Sequence, residues 1–81
     1  MFELIQYSRE NCAGCALLDN YLSNNHNINV KEKHIDTIGE LGLNVQGVPV
    51  LVLVDEEGNV DDFVVGFRAN EVDELVAKIV T

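Results

Sequence analysis

The run Phe2-Glu3-Leu4-Ile5-Gln6-Tyr7-Ser8-Arg9-Glu10-Asn11-Cys12-Ala13-Gly14-Cys15 leads from a strand into a helix through a C-x-x-C pair. Phe2 to Tyr7 is mostly apolar at both alternating sets of positions, which predicts a central strand covered on both faces. Ser8 to Asn11 is a polar loop. From Cys12 the period changes to that of a helix, with Cys15, Leu18 and Leu22 one turn apart and Ala16, Leu17 and Tyr21 beside them. Asn11 is the expected N-cap. The cysteines therefore fall where a buried strand turns into a helix, a place that carries more information than the motif alone.

Reading outward, the turn-forming residues Ser23-Asn24-Asn25-His26-Asn27 are expected to end the helix. Ile28 to Ile35 then reads as a short strand, and Lys31, Glu32, Lys33 and His34 place it at a sheet edge, where charge blocks unwanted pairing. Thr37-Ile38-Gly39-Glu40 has capping-box spacing and predicts one or two helical turns with Ile38, Leu41 and Val45 inward, kept short by Gly39 and Gly42. After Val48-Pro49, the run Val50-Leu51-Val52-Leu53-Val54 suits a fully buried strand. The turn Asp55-Glu56-Glu57-Gly58 folds it back into a second strand, Val60 to Gly66. Asn70 is the expected cap of a last helix with an apolar stripe of Val72, Leu75, Val76, Ile79 and Val80. The predicted class is α/β, in the order β-α-β-α-β-β-α, with a four-stranded mixed sheet and helices on both faces.

A chain of 81 residues has no room for a second domain, so residues 1–81 are expected to form one. Apolar residues at 47% against charged ones at 23% supply a core. A formal charge of -9 repels phosphate backbones and anionic lipid, which argues against nucleic acid and membrane partners. The longest apolar run, Val48 to Val54, falls far short of the roughly 20 residues of a membrane span, and no signal-peptide pattern is visible. The expectation is a soluble, cytoplasmic monomer.

Two cysteines separated by two residues staple almost nothing, so their spacing points to chemistry. At a first helical turn, free N–H groups and the positive helix end stabilise a thiolate on Cys12, lowering its pKa from about 8.5 toward about 7 or below. Cys15, one turn on, is placed to resolve the mixed disulfide that Cys12 forms with a substrate. Small Ala13 and Gly14 leave the pair open. Two alternatives stand beside this: a pair of half-buried cysteines with no role, and a metal site. For zinc, the spacing from Cys15 to His26 and His34 misses the finger pattern, and both histidines fall where solvated ones are ordinary. Copper(I) delivery is the reading from another class, although small copper chaperones follow a β-α-β-β-α-β plan. A non-catalytic binding domain would be marked by a thiol pair that never cycles.

Val48-Pro49 is the second informative pair. A proline before a buried strand can form a tight, often cis, turn that offers an unpaired backbone edge to an extended partner, or it can simply start the strand. Arg9 is placed either to lower the Cys12 pKa through space or as a surface cation. Phe67 leans toward the core, Arg68 toward an exposed docking role, and the acidic residues around the hairpin turn toward a solvated, aggregation-resistant face.

On these residues the chain resembles the thioredoxin-fold family over nearly its whole length. Tyr7-Ser8-Arg9 followed by C-x-x-C is similar to glutaredoxins and NrdH-type redoxins. Val45-Gln46-Gly47-Val48-Pro49 is similar to thioredoxins, where the proline is cis and flanks the disulfide, and Gly66-Phe67-Arg68 resembles the G-F-R stretch of NrdH-type redoxins. The resemblance implies a protein disulfide reductase in which Cys12 attacks and Cys15 resolves. Val48 and Pro49 would form the docking edge, with Ala13, Gly14, Gly66, Phe67 and Arg68 beside the substrate. It implies no bound cofactor beyond the redox-active Cys12–Cys15 pair. Electrons would come from NADPH through a thioredoxin reductase-like donor and go to protein disulfides, with ribonucleotide reductase a candidate client. The pattern departs from the family at Ala13-Gly14, at Ser8, and at Gln6, which stands where thioredoxins carry a buried aspartate. The paired glycines that hold glutathione in glutaredoxins are reduced to Gly66 alone, which sets glutathione dependence second.

Overall fold

The structure, a computed structural model, describes residues 2–28, 30–45 and 47–80, the side chain of Val80 excepted. Its elements are β1 (Glu3–Ser8), α1 (Ala13–His26), β2 (Lys31–His34), a 3₁₀ helix (Ile35–Leu41), β3 (Val50–Val54), β4 (Val60–Val65) and α2 (Ala69–Val80). The strand order is β2-β1-β3-β4, with β1 parallel to β2 and antiparallel to β3, and β3 antiparallel to β4. The mixed four-stranded sheet and the predicted order of elements are both present. β1 is internal, β2 lies at an edge, and β3 is buried at every position.

Alternation along β1 and β3 divides the core between two faces. On one, Leu4, Leu51 and Leu53 meet Leu18 and Leu22 of α1 and Val72, Leu75 and Val76 of α2. On the other, Ile5, Tyr7, Val50, Val52 and Val54 meet Ile35 and Ile38 of the 3₁₀ helix. Complete burial of Leu18 and Leu22 stabilises the seat of α1 by about 1.5–3 kcal/mol each. The stripe of α2 follows expectation through Val72, Leu75, Val76 and Ile79; the side chain of Val80 lies outside the described residues.

Several boundaries differ from expectation for identifiable reasons. α1 persists through His26 because a left-handed cap closes its end: Asn27 takes φ 54° and donates its N–H to Leu22 O, and Ile28 N–H donates to the same oxygen at 3.1 Å. Ile28 and Val30 pack against the helical face, so pairing as β2 begins only at Lys31; Asn29, within the expected strand, lies outside the described residues. The expected capping box at Thr37 is absent. The helix starts at Ile35, capped by His34 Nδ1 accepting from Asp36 N–H, while Thr37 Oγ1 donates back to His34 O at 2.8 Å. Ile35, Ile38 and Leu41 recur every three residues, the 3₁₀ period, and so keep one face against the sheet. Asn70 is not the cap of α2: Arg68 O already accepts from Val72 N–H at 2.9 Å, which puts Asn70 in the first turn.

The acidic hairpin is locally organised. Asp55 Oδ1 accepts the N–H groups of Glu57 and Asn59, each at 2.9 Å, and Lys78 of α2 pairs with Asp62 at 2.9 Å and Asp61 at 3.7 Å. His26, expected to be a solvated loop residue, instead closes α1 and meets Asp73 of α2, Nε2 to Oδ1, at 2.8 Å. Tyr21 OH donates to the same oxygen at 2.7 Å. These bonds, the Tyr21 hydroxyl first and His26 second, hold the Asp73 carboxyl below the usual carboxylate range. A carboxylate whose pKa is lower in the folded protein stabilises it fully above the ordinary carboxylate pKa, and that contribution fades as pH falls through the folded value. Asp73→Asn is therefore expected to flatten the acid limb of stability against pH while changing the profile little above neutrality; an unaltered acid limb in denaturation curves would contradict the assignment.

Candidate functional site

Cys12 is the N-cap of α1, in place of the expected Asn11. Its extended backbone (φ -106°, ψ 101°) lets Sγ accept the N–H of Cys15 at 3.0 Å, as a serine hydroxyl does at this position. Asn11 instead adopts φ 58° in the loop, a conformation asparagine tolerates better than most residues. Cys12 and Cys15 are joined in a disulfide with their Cα atoms 5.2 Å apart. Cys12 is half-buried, whereas Cys15 is 5% exposed. The two cysteines are thus unequal in access, and the more accessible one sits at the helix end.

Pro49 closes the site from the sheet side. The Val48–Pro49 peptide is cis, Pro49 is buried, and a Cβ added to Gly14 would lie 3.3 Å from Pro49 Cδ. Gly14 therefore keeps the proline loop in close register with the first turn of α1. Pro49 O accepts from Gly66 N–H at 2.7 Å, and Gly66, at φ 83°, turns the chain from β4 toward α2 in a conformation that favours glycine. Cys12, Gly14, Cys15, Val48, Pro49 and Gly66 are brought together by these contacts. Ala13 is exposed beside them, and Gln46 lies outside the described residues.

The other expected site residues are placed differently. Phe67 packs edge-on against Tyr21, ring centres 5.3 Å apart, in the seam between α1 and α2. Arg68 is exposed, 3.3 Å from Glu71. Arg9 lines a cleft of 460 Å³ with Ile35, Asp36, Ile38 and Asn44, on the side of the 3₁₀ helix. Neither that cleft nor the second one that Arg9 lines includes a cysteine. Gln6 was readable only as a departure from pattern. It is fully buried beneath α1 and donates from Nε2 to Cys15 O at 3.0 Å. Its signal in the sequence is a lone amide at an inward position of an otherwise apolar strand.

His34 is an exposed cap, and among the described residues no group of three or more His, Cys, Asp or Glu is arranged to hold a metal ion. Two sulfurs of a C-x-x-C pair joined at a helix end, with a cis-proline loop opposite, make this a redoxin of thioredoxin fold and a thiol-disulfide oxidoreductase. No protein-family model matches the chain. It is 32% identical over 80 residues to the SPbeta prophage-derived thioredoxin-like protein YosR of Bacillus subtilis (strain 168), covering 94% of this chain and 96% of that one. The crystal structure of the reduced thioredoxin pre-protein of Schistosoma mansoni is similar in fold, with a TM-score of 0.74 at 17% identity over 95% of this chain and 77% of that one. The chain belongs to the thioredoxin-like family.

The capping geometry makes a direct prediction for the reduced protein. Cys12→Ser keeps an acceptor for Cys15 N–H, whereas Cys12→Ala removes it, so alanine should be less stable than serine by about 0.5–2 kcal/mol. Urea denaturation under reducing conditions measures the difference, and equal midpoints would contradict the capping role.

Proposed function

We propose that this protein is a disulfide reductase for protein substrates, with Cys12 the attacking and Cys15 the resolving sulfur. The observation that carries the reading is the unequal pair itself: a half-buried cysteine at the helix end, joined to a buried one a turn further on. In the reduced protein the Cys12 thiolate attacks one sulfur of a substrate disulfide, forming a mixed disulfide and releasing the other sulfur as a thiolate that takes a proton. Cys15 then gives up its proton and attacks Cys12 Sγ. The substrate leaves as a dithiol and the Cys12–Cys15 disulfide closes, so two electrons have passed to the substrate, which takes one proton released by Cys15 and one from solvent.

Val48 and Pro49 are the docking edge in this proposal, with Ala13, Gly14 and Gly66 at its border. Arg68 and Arg9 are flanking cations, Arg9 acting on the Cys12 thiolate through space, and Phe67 braces the border from behind. Openness supports a macromolecular substrate, because small Ala13 and Gly14 leave the pair unwalled. NADPH-derived electrons arrive through a thioredoxin reductase-like donor, with ribonucleotide reductase a candidate client and the protein acting as a single-domain cytoplasmic monomer. No helix among the described residues is long and apolar enough to cross a membrane.

Two experiments test the proposal. Cys12→Ser should abolish turnover, while Cys15→Ser should accumulate mixed disulfides with substrate; equal and mild losses would overturn the roles. Insulin reduction should proceed with thioredoxin reductase and NADPH and not with glutathione and glutathione reductase. Activity only with glutathione would make the protein a glutaredoxin in function.

A further inference from the structure

Gln6 is the one buried amide side chain among the described residues, at 0% exposure. It follows Leu4 on the helical face of β1, so it lies under the first turn of α1. The orientation of its amide is fixed by Nε2 donating to Cys15 O at 3.0 Å, since turning it over would set two carbonyl oxygens against each other. Oε1 is then a buried acceptor with no partner among the described residues. Leaving such an oxygen unpaired is unfavourable, and the disulfide that Cys15 forms has no hydrogen to offer it.

Reduction changes that inventory. Cleaving the Cys12–Cys15 bond with two electrons leaves Cys12 free to remain a thiolate at the helix end, while Cys15 takes a proton and becomes an S–H donor. We propose that Gln6 is the positioning residue of the resolving sulfur: its amide N–H holds the Cys15 main chain, and its Oε1 accepts the Cys15 thiol hydrogen in the dithiol form. The dithiol gains a hydrogen bond that the disulfide lacks, so Gln6 biases the pair toward reduction. It also keeps the proton on Cys15 and the negative charge on Cys12. The inference rests on the proposed dithiol–disulfide cycle.

The test equilibrates the wild type and Gln6→Met with a dithiothreitol redox buffer and counts dithiol and disulfide by alkylation and mass spectrometry. Methionine keeps the volume and removes both hydrogen-bonding atoms. The equilibrium should move about tenfold toward the disulfide, equivalent to about 30 mV. A loss of packing common to both redox forms would not move it. A ratio within about twofold of wild type would overturn the proposal. Should Gln6→Met fail to fold, the side-chain carbonyl carbon resonance of Gln6 decides. It should show a hydrogen-bonded shift in reduced wild type that is missing from reduced Cys15→Ala, and its presence in both or neither would overturn the assignment. Failure of the wild-type pair to equilibrate with the buffer would overturn the proposed function as well, whereas normal cycling with an unmoved equilibrium overturns only the role of Gln6.

Discussion

The burial of one face of α1 on the sheet is the constraint from which the rest of this structure follows. Leu18 and Leu22 are inaccessible to solvent and lock the helix over Leu4, Leu51 and Leu53, and Cys15 belongs to the same buried stripe. With the helix fixed in this way, its N-terminus has one position, next to the loop that carries Pro49. Cys12 is held at that end by its own sulfur, which accepts Cys15 N–H. The reactive pair is therefore an extension of core packing, and its inner member cannot move without disturbing the core.

The supports around the pair come from distant parts of the chain. β1 contributes Gln6 from below, β3 begins at the cis-proline, and Gly66 ties the end of β4 to Pro49 O. Tyr21, His26 and Asp73 clasp α1 to α2, and Phe67 packs into the same seam. On the opposite face, Tyr7 is buried with its hydroxyl lacking a partner among the described residues, and burial followed by the charge of Glu40 pushes its phenol pKa up. That group stays neutral and takes no part on the thiol face.

Much of this was legible in the sequence because strong local signals agreed with the tertiary arrangement. The all-apolar run at Val50–Val54, the polar edge at Lys31–His34 and the C-x-x-C at a strand-to-helix step each had one natural reading, and the structure carries all three. The misreadings were at helix ends. Caps depend on backbone angles that composition does not reveal: a cysteine replaced the expected asparagine at α1, and His34 replaced Thr37 at the 3₁₀ helix. The spacing of the 3₁₀ helix begins at Ile35, three residues before Ile38, because Ile35 looks like the end of the preceding strand in sequence. The His26–Asp73 and Tyr21–Asp73 bonds join residues 47 and 52 positions apart, beyond any local pattern.

The proposed roles require the two sulfurs to be chemically unequal, with the thiolate at the helix end. Alkylation of the reduced protein with iodoacetamide across a range of pH, with the modified residue located by peptide mapping, tests this most directly. The account predicts rapid modification confined to Cys12, at a rate that has already levelled off near neutral pH. Equal modification of Cys12 and Cys15, at rates still climbing through the pH range of an ordinary thiol near about 8.5, would contradict it.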